Sequence, residues 1–247
     1  MNKETLSMKK VKGWVLPAED TSFDLYITDD GYQHEQRQEI LEHIHKVLGD
    51  DLKNCVDVGG HVGFWTKDLM NHFKHVYVFE PIPFVRECFY RNIPEGNWTM
   101  YERGLGNKSA KVQIKYDPLS SGDTFIDERP HIATDLINGT LNEFRKFLIR
   151  IIPLDDLNFK DIDYIKIDAE GYEAEVVRGA FDTIKRCKPF VHCEIKDRIL
   201  AKTDKKRHEI FDVFTELNYK MVLRSSSEYL FSHESLVPTP SPFDKAL

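Results

Sequence analysis

Two short stretches of this chain place chemically useful residues at a spacing that serves one purpose. Val56-Asp57-Val58-Gly59-Gly60-His61-Val62-Gly63 is an apolar strand end that runs into a glycine loop. About twenty residues on, Val78-Phe79-Glu80-Pro81 ends a second apolar run in a carboxylate. Glycine lets a backbone turn sharply and approach a ligand with no Cβ in the way. A helix starting at Gly63 would point its N-terminus at that ligand, which favours a carboxylate there. Glu80 at the second strand end can accept hydrogen bonds from both hydroxyls of a ribose. Loop, spacing and acid together describe a nucleoside cradle.

The details of the loop choose among nucleosides. A dinucleotide fingerprint reads G-x-G-x-x-G, and counting from Gly59 puts His61 where its second glycine belongs. Asp57 would repel a pyrophosphate but attract an ammonium group. That favours S-adenosylmethionine over a nicotinamide dinucleotide. The chain has no G-x-x-x-x-G-K-[ST] run for a nucleoside triphosphate.

A second set of residues belongs to later strand ends: Asp168, Glu170 and Glu194, with Lys166 inside a strand pattern. Ligands of open α/β sheets sit over the carboxyl ends of the strands, so Asp57, Asp168, Glu170 and Glu194 converge there. Lysine is unusual in a central parallel strand, which is normally apolar on both faces, and burying it unpaired is costly. Alternation puts Lys166 with Asp168, and His192 with Glu194. We expect Lys166 to pair with Asp168 or Glu194 and to fix the floor of the site, either chemically or as a structural salt bridge.

These residues need a scaffold, and the rest of the chain reads as one. Residues 11–28 suggest short strands around a Pro17–Asp20 turn, and Gly31 to Leu48 has helical spacing of Ile40, Leu41, Ile44, Val47 and Leu48. A strand–helix alternation follows: strands at 55–58, 75–79 and 98–105, and helices at 63–73 and 84–93. Residues 106–153 carry strand-like pieces around a polar stretch containing Leu119-Ser120-Ser121-Gly122-Asp123, and look like an insertion. The alternation resumes with strand 164–167, helix 173–187, strand 190–195 and helix 205–217, then two antiparallel strands at 220–224 and 229–232. The expected fold is a Rossmann-like, doubly wound α/β sheet. Its parts are an N-terminal strand and helix cap at 1–50 that contributes to the acceptor pocket, a core at 51–236 and an irregular tail at 237–247.

Bulk properties narrow the partners. The 34 basic and 41 acidic residues give a net charge of −7. Nothing global attracts nucleic acid or anionic lipid, and the Lys202–Arg207 cluster reads as a solvated helix start. Cys55, Cys88, Cys187 and Cys193 show no metal spacing and read as reduced thiols. The run after Met8 is broken by Lys12, Gly13 and Pro17, unlike a signal peptide. No stretch approaches the roughly 18 apolar residues of a membrane span. The expected address is cytoplasmic.

Three blocks resemble the FkbM-type methyltransferases. They are Val56 to Thr66, then Val78-Phe79-Glu80-Pro81-Ile82-Pro83, then Ile152-Pro153-Leu154-Asp155-Asp156-Leu157 with Tyr164-Ile165-Lys166-Ile167-Asp168-Ala169-Glu170-Gly171 and on to Gly179-Ala180. Lys188-Pro189-Phe190 with Glu194 closes the pattern. Family members usually have a small residue then Asn where this chain has Gly60-His61. The resemblance implies a class I methyltransferase fold: a mostly parallel seven-stranded sheet with an antiparallel C-terminal hairpin and a small β insertion after the third strand. It implies S-adenosylmethionine and, most often, methylation of a hydroxyl. By the same resemblance Asp57, Gly59 and Gly63 belong near the methionine part, with Gly60, His61 and Asp168 beside them. Glu80 belongs at the ribose, Pro81 and Ile82 flank the adenine, and Gly104-Leu105-Gly106 at the end of the third strand edges it.

An alcohol acceptor must lose a proton during attack, and a carboxylate or histidine within reach can take it. Asp168 and Glu170 come first for that role or for orienting the acceptor, with Lys166 and Glu194 beside them. His131, His192 and His61 come after. A divalent metal on Asp168, Glu170 and Glu194 is the alternative, but is not the expectation. The expected acceptor is a small molecule or glycan, approached by Tyr32, Gln33, His34 and the Ser120–Asp123 loop. A nucleic-acid methyltransferase is disfavoured by charge and by Asp168-Ala169-Glu170-Gly171 standing where a base-methylating Asn/Asp-Pro-Pro-Tyr would be. A cofactor-binding module without catalysis is the third reading, and the strand-end carboxylates argue against it.

Overall fold

In a computed structural model, which describes residues 7–126, 136–137, 140–141, 144–197, 199–200 and 207–237, the chain forms the expected α/β architecture. The central sheet has seven strands. Five of them are β3 (Asn54–Val58), β4 (His75–Phe79), β5 (Trp98–Tyr101), β12 (Ile162–Ile167) and β13 (Phe190–Glu194). With β14 (Tyr219–Ser225) and β15 (Glu228–His233), they lie in the order β14-β15-β13-β12-β3-β4-β5. All run parallel except β15, which is antiparallel to both neighbours. The C-terminal hairpin therefore exists, but its first strand follows the common direction. The chain winds outward from β3 to β5, then returns to place β12 on the other side of β3. That reversal opens a crevice above the ends of β3 and β12.

Helices cover both faces, each burying an apolar stripe. One face packs α1 (His34–Leu48), α2 (Phe64–His72) and α3 (Pro83–Asn92) through Ile40, Leu41, Ile44, Trp65, Leu69, Val85 and Phe89. The opposite face packs α4 (Glu173–Gly179), α5 (Phe181–Cys187) and α6 (Arg207–Glu216) through Val176, Val177, Ile184, Ile210 and Phe214. Pro83 stands in the first turn of α3, where a missing N–H costs nothing. The fully buried Arg37 ties α1 to α2 by donating from Nε to Asp68 at 2.7 Å.

Four expectations need correction. The N-terminal segment is one hairpin, β1 (Met8–Val11) with β2 (Trp14–Pro17). It turns at Lys12-Gly13, whose positive φ angles match the strand twist, and no strand follows Pro17 up to Thr28. The third strand stops at Tyr101, where the Arg103 N–H closes a tight turn on the Tyr101 carbonyl. Gly104–Leu105 becomes β6 of a second sheet, so these residues do not end the third strand. The helix expected over 173–187 breaks at Ala180, because Gly179 lies against the backbone of Gly106 and Asn107 with no room for a side chain.

The second sheet has the order β6-β11-β7-β8, with β7 (Ala110–Tyr116), β8 (Phe125–Ile126) and β11 (Arg145–Ile152). Phe84 of α3 meets Tyr116 edge-on at 4.7 Å, fixing this sheet beside the crevice. A two-stranded piece, β9 (Leu136–Ile137) with β10 (Thr140–Leu141), lies between β8 and β11 in sequence. Among the described residues, Cys55, Cys88 and Cys193 are buried free thiols and Cys187 is half-buried. No described helix is long and apolar enough to cross a membrane.

Candidate active site

The glycine loop takes its shape from one close approach. Gly59 has φ +76°, and a Cβ there would overlap the Asp168 carbonyl oxygen. Bare backbone at this point lets the end of β3 lie against the end of β12. Across the loop, Glu80 is buried and its two oxygens are held by backbone. Oε2 accepts the His61 N–H at 3.0 Å and Oε1 accepts the Ile82 N–H at 2.8 Å. Each oxygen keeps a lone pair for a further donor. Burial outweighs these bonds and pushes the Glu80 carboxyl up to about 7. Ile82, Leu105, Ile151 and Tyr172 form an apolar wall beside it.

The strand ends carry a buried charged layer. Asp57 is fully buried, and its Oδ2 accepts the Thr66 hydroxyl at 2.6 Å. Lys166, also buried, donates to the Gly59 carbonyl at 2.9 Å and the Val58 carbonyl at 3.3 Å. Its Nζ lies 3.4 Å from Asp57 Oδ1 and 3.7 Å from Asp168 Oδ2. The expected pairing with Asp168 is present; pairing with Glu194 is not. Parallel register explains the preference, because β12 sets Lys166 beside Asp57 of β3.

Glu194 and Glu170 have a different partner, Lys196. Its Nζ lies 2.6 Å from Glu170 Oε1 and 3.0 Å from Glu194 Oε2. Lys196 escaped the sequence reading; the available signal was a basic residue two positions past an acidic strand end. Asp168, Glu170 and Glu194 come close enough to share a cation, as the metal alternative requires. In this arrangement the lysine ammonium occupies that role. Glu173 builds the loop that holds two of the three, accepting from the Ala169 N–H at 3.1 Å and the Gly171 N–H at 3.0 Å.

The histidines separate. His192 lies beneath the layer, donating or accepting at Tyr164 (3.0 Å) and Glu228 (2.5 Å), with the Trp65 ring 4.9 Å away. It is sealed in the core and does not line the cavity, so the candidacy of His192 as a base is withdrawn. His131 lies outside the described residues, as do Lys202 to Lys206 of the basic cluster. His61 lines the cavity, and its Nε2 lies 2.7 Å from the Ser121 hydroxyl. Asp20, which the sequence reading placed only in a turn, is buried behind Ser121 and accepts from its N–H and hydroxyl.

Glu80, His61, Ser121, Lys166, Asp168, Glu170, Glu194 and Lys196 line one cavity of about 400 Å³ over the strand ends, within the ordinary size range of small-molecule sites. Pro81, Ile82 and Gly104-Leu105 line one end, and Asp168, Glu170, Glu194 and Lys196 the other. Tyr32, Gln33, Glu194 and Lys196 also line a second cleft beyond them, towards His34, Arg207 and Arg224.

Comparison with known proteins assigns this arrangement. The model of the methyltransferase FkbM domain matches residues 57–221, which spans the glycine loop, Glu80 and all four strand-end carboxylates. The chain belongs to the FkbM methyltransferase family. A curated relative, Methyltransferase 1 of Beauveria bassiana, is 24% identical over 144 residues, covering 51% of this chain and 58% of that protein. Among solved structures, methyltransferase FkbM from Methylobacillus flagellatus is 17% identical with a TM-score of 0.49, covering 78% of this chain and 50% of that one. A SAM-dependent methyltransferase of Leishmania major is 14% identical with a TM-score of 0.44, covering 80% of this chain and 71% of that one. The chain thus spans little more than half the length of its fungal relative and half of the bacterial one.

The electrostatics of this FkbM domain divide its carboxylates. Burial raises Asp57, against the pull of Lys166 and Thr66. Burial also works to raise Asp168, but Lys196 and Lys166 outweigh it and hold the carboxyl below its usual range. Glu170 is pushed up to about 8 by burial, with Asp168 adding to it. Glu194 is pushed up to about 10 by burial and by Asp168. Lys166 and Lys196 are raised, the surrounding carboxylates overcoming the burial of each.

Proposed function

We propose that this chain transfers the methyl group of S-adenosylmethionine to a hydroxyl oxygen of a small molecule or glycan. The observation that carries the reading is the two-ended cavity, with a backbone-held carboxylate and apolar wall at one end and a charged layer at the other, inside a matched FkbM domain. The residues present fit the cofactor. Glu80 would hold the ribose hydroxyls, Ile82, Pro81 and Leu105 the adenine, and the glycine loop the methionine part. Asp168, which lines the cavity, offers negative charge to an ammonium group, and Asp57 acts from behind it through Lys166.

When bound, S-adenosylmethionine supplies a methyl group already activated on a sulfonium. The protein then has to hold nucleophile, carbon and sulfur in line and exclude water. Lys166 fixes the strand ends by bonding two carbonyls of the loop, which sets the depth of the site. Asp168, Glu170 and Glu194 are committed to lysines and serve to orient the acceptor. The polar rim of Tyr32, Gln33 and Ser120–Asp123 supports a hydroxylated acceptor entering past the second cleft.

The test is calorimetric titration with S-adenosylmethionine and S-adenosylhomocysteine, followed by transfer of labelled methyl to a panel of phenols, aliphatic alcohols, glycosides and amines. Micromolar binding with label on oxygen supports the proposal. Label on nitrogen overturns the O-methylation reading, and absence of cofactor binding overturns the whole.

A further inference from the structure

The strand-end carboxylates are poorly placed to take a proton. Asp168 lies 3.7 Å from Lys166, Glu170 2.6 Å and Glu194 3.0 Å from Lys196. Asp168, held below its usual range by Lys196 and Lys166, is a weak base, while burial raises Glu170 and Glu194 to about 8 and 10, so at neutral pH each already carries a proton and cannot take another. On the opposite wall His61 has a different set of contacts, and hydrogen-bond direction settles its tautomer.

The argument starts at Asp20. Its Oδ1 accepts from the Ser22 N–H at 2.9 Å and the Ser22 hydroxyl at 2.7 Å; its Oδ2 accepts from the Ser121 N–H at 2.9 Å and the Ser121 hydroxyl. A carboxylate receiving four donors is acting as an acceptor throughout. Ser121 has one hydroxyl proton, and it is spent on Asp20. The contact of 2.7 Å between Ser121 Oγ and His61 Nε2 therefore requires the ring nitrogen to donate. With Nε2 carrying the proton, Nδ1 of the neutral ring holds a bare lone pair. It has no hydrogen-bond partner among the described residues, and the ring lines the cavity. Phe23 and Phe64 flank the ring at 5.5 Å and 6.2 Å, an apolar setting that disfavours the imidazolium before reaction.

We propose that His61 is the catalytic base of this site, taking the proton of an acceptor hydroxyl at Nδ1 while Ser121 and Asp20 hold its Nε2–H. The inference rests on the methyl-transfer reading above. The acceptor oxygen forms its bond to the methyl carbon as the carbon–sulfur bond breaks and its electron pair stays on sulfur. The hydroxyl proton passes to Nδ1, and the imidazolium later releases it to water. The new charge faces Asp20 from the N-terminal segment and Asp168 from the end of β12, which favour it. Lys166 and Lys196 oppose it. The backbone N–H of His61 is bound to Glu80, so the base is mounted on the same loop that would hold the cofactor. Asp20 and Ser121 are positioning residues.

Two measurements decide the matter. Long-range proton–nitrogen NMR on the full chain labelled in histidine, free and with S-adenosylhomocysteine, reads the tautomer directly, with His61→Asn identifying the signal. A neutral ring protonated at Nε2 at pH 6–7 is expected, and loss of that single tautomer in Ser121→Ala supports the relay. A ring protonated at Nδ1, or an imidazolium, overturns the proposal whether or not the cofactor reading stands. With the hydroxyl acceptor from the transfer assay, His61→Asn should lower kcat about 100-fold and regain part of it on added imidazole. A kcat within about threefold of the parent overturns the proposal. Loss of S-adenosylhomocysteine binding by the parent protein would instead count against the cofactor assignment.

Discussion

The two ends of the cavity hold charge by different means. At the ribose end, Glu80 is fixed by the backbone N–H groups of Ile82 and His61, two and nineteen residues away. Neither bond depends on a side chain other than its own. At the acceptor end, every charge is held by another charged side chain: Lys166 by Asp57 and Asp168, Glu170 and Glu194 by Lys196. The first arrangement is preorganised by the loop and survives substitutions around it. The second is a set of mutual dependencies, in which removing one member leaves a buried charge behind.

The strongest way to break that contrast is Lys166→Met. Asp57 would lose its cation in a fully buried position, and stability should fall by about 3–5 kcal/mol. Denaturant unfolding measures it, and a loss below about 1 kcal/mol would mean that the layer is not interdependent. Gly179→Ala comes next, because its Cβ would overlap the Gly106 carbonyl and force α4 off the second sheet. A loss of about 1–3 kcal/mol is expected in the same measurement.

At the ribose end the main effect should be on binding. Glu80→Gln keeps the shape but removes an acceptor oxygen from a charge-assisted pair. S-adenosylhomocysteine affinity should weaken about 10–100-fold, and the backbone N–H left facing the amide should cost about 1–3 kcal/mol in unfolding. A large stability loss without an affinity change would invert the comparison.

Lys196→Met asks whether the ammonium stands where a metal otherwise could. The parent should keep its activity after EDTA treatment and show no Mn²⁺ binding by calorimetry, while the variant, with Glu170 and Glu194 left unpaired beside Asp168, should gain Mn²⁺ affinity. Mn²⁺ binding by the parent itself would reverse the assignment.

The contrast also has a pH dependence. Glu80, Glu170 and Glu194 are raised to about 7, 8 and 10, so the folded protein keeps protons that the unfolded chain has lost above about pH 4.3. Stability from these groups is therefore complete below about pH 4 and lost progressively as pH rises from there through about 7, 8 and 10. Tm should fall across that window, and Glu170→Gln should flatten the slope by about 2–4 °C for each kcal/mol involved.

Legibility in the sequence followed the same division. The cradle was readable because its parts lie within one βα unit and rest on glycine, a strand end and a carboxylate at set spacing. Lys166 stood out because a charge in a buried strand demands a partner, yet the partner was chosen by register: β3 offered Asp57 beside it, and Lys196 had already taken Glu194. Tyr101 ended the third strand early through a backbone turn that propensity does not report, which moved Gly104 and Leu105 into another sheet.

The sequence by itself determined the parallel sheet, the crevice above its strand ends and the family, because periodicity and short-range spacing encode them. Tertiary structure alone decided which charge answers which. It also brought Asp20, His61 and Ser121 into one chain of hydrogen bonds, from positions 101 and 60 residues apart. Hydrogen bonds and ion pairs act over a few ångströms, so contacts between remote segments exist only once packing has set those segments side by side.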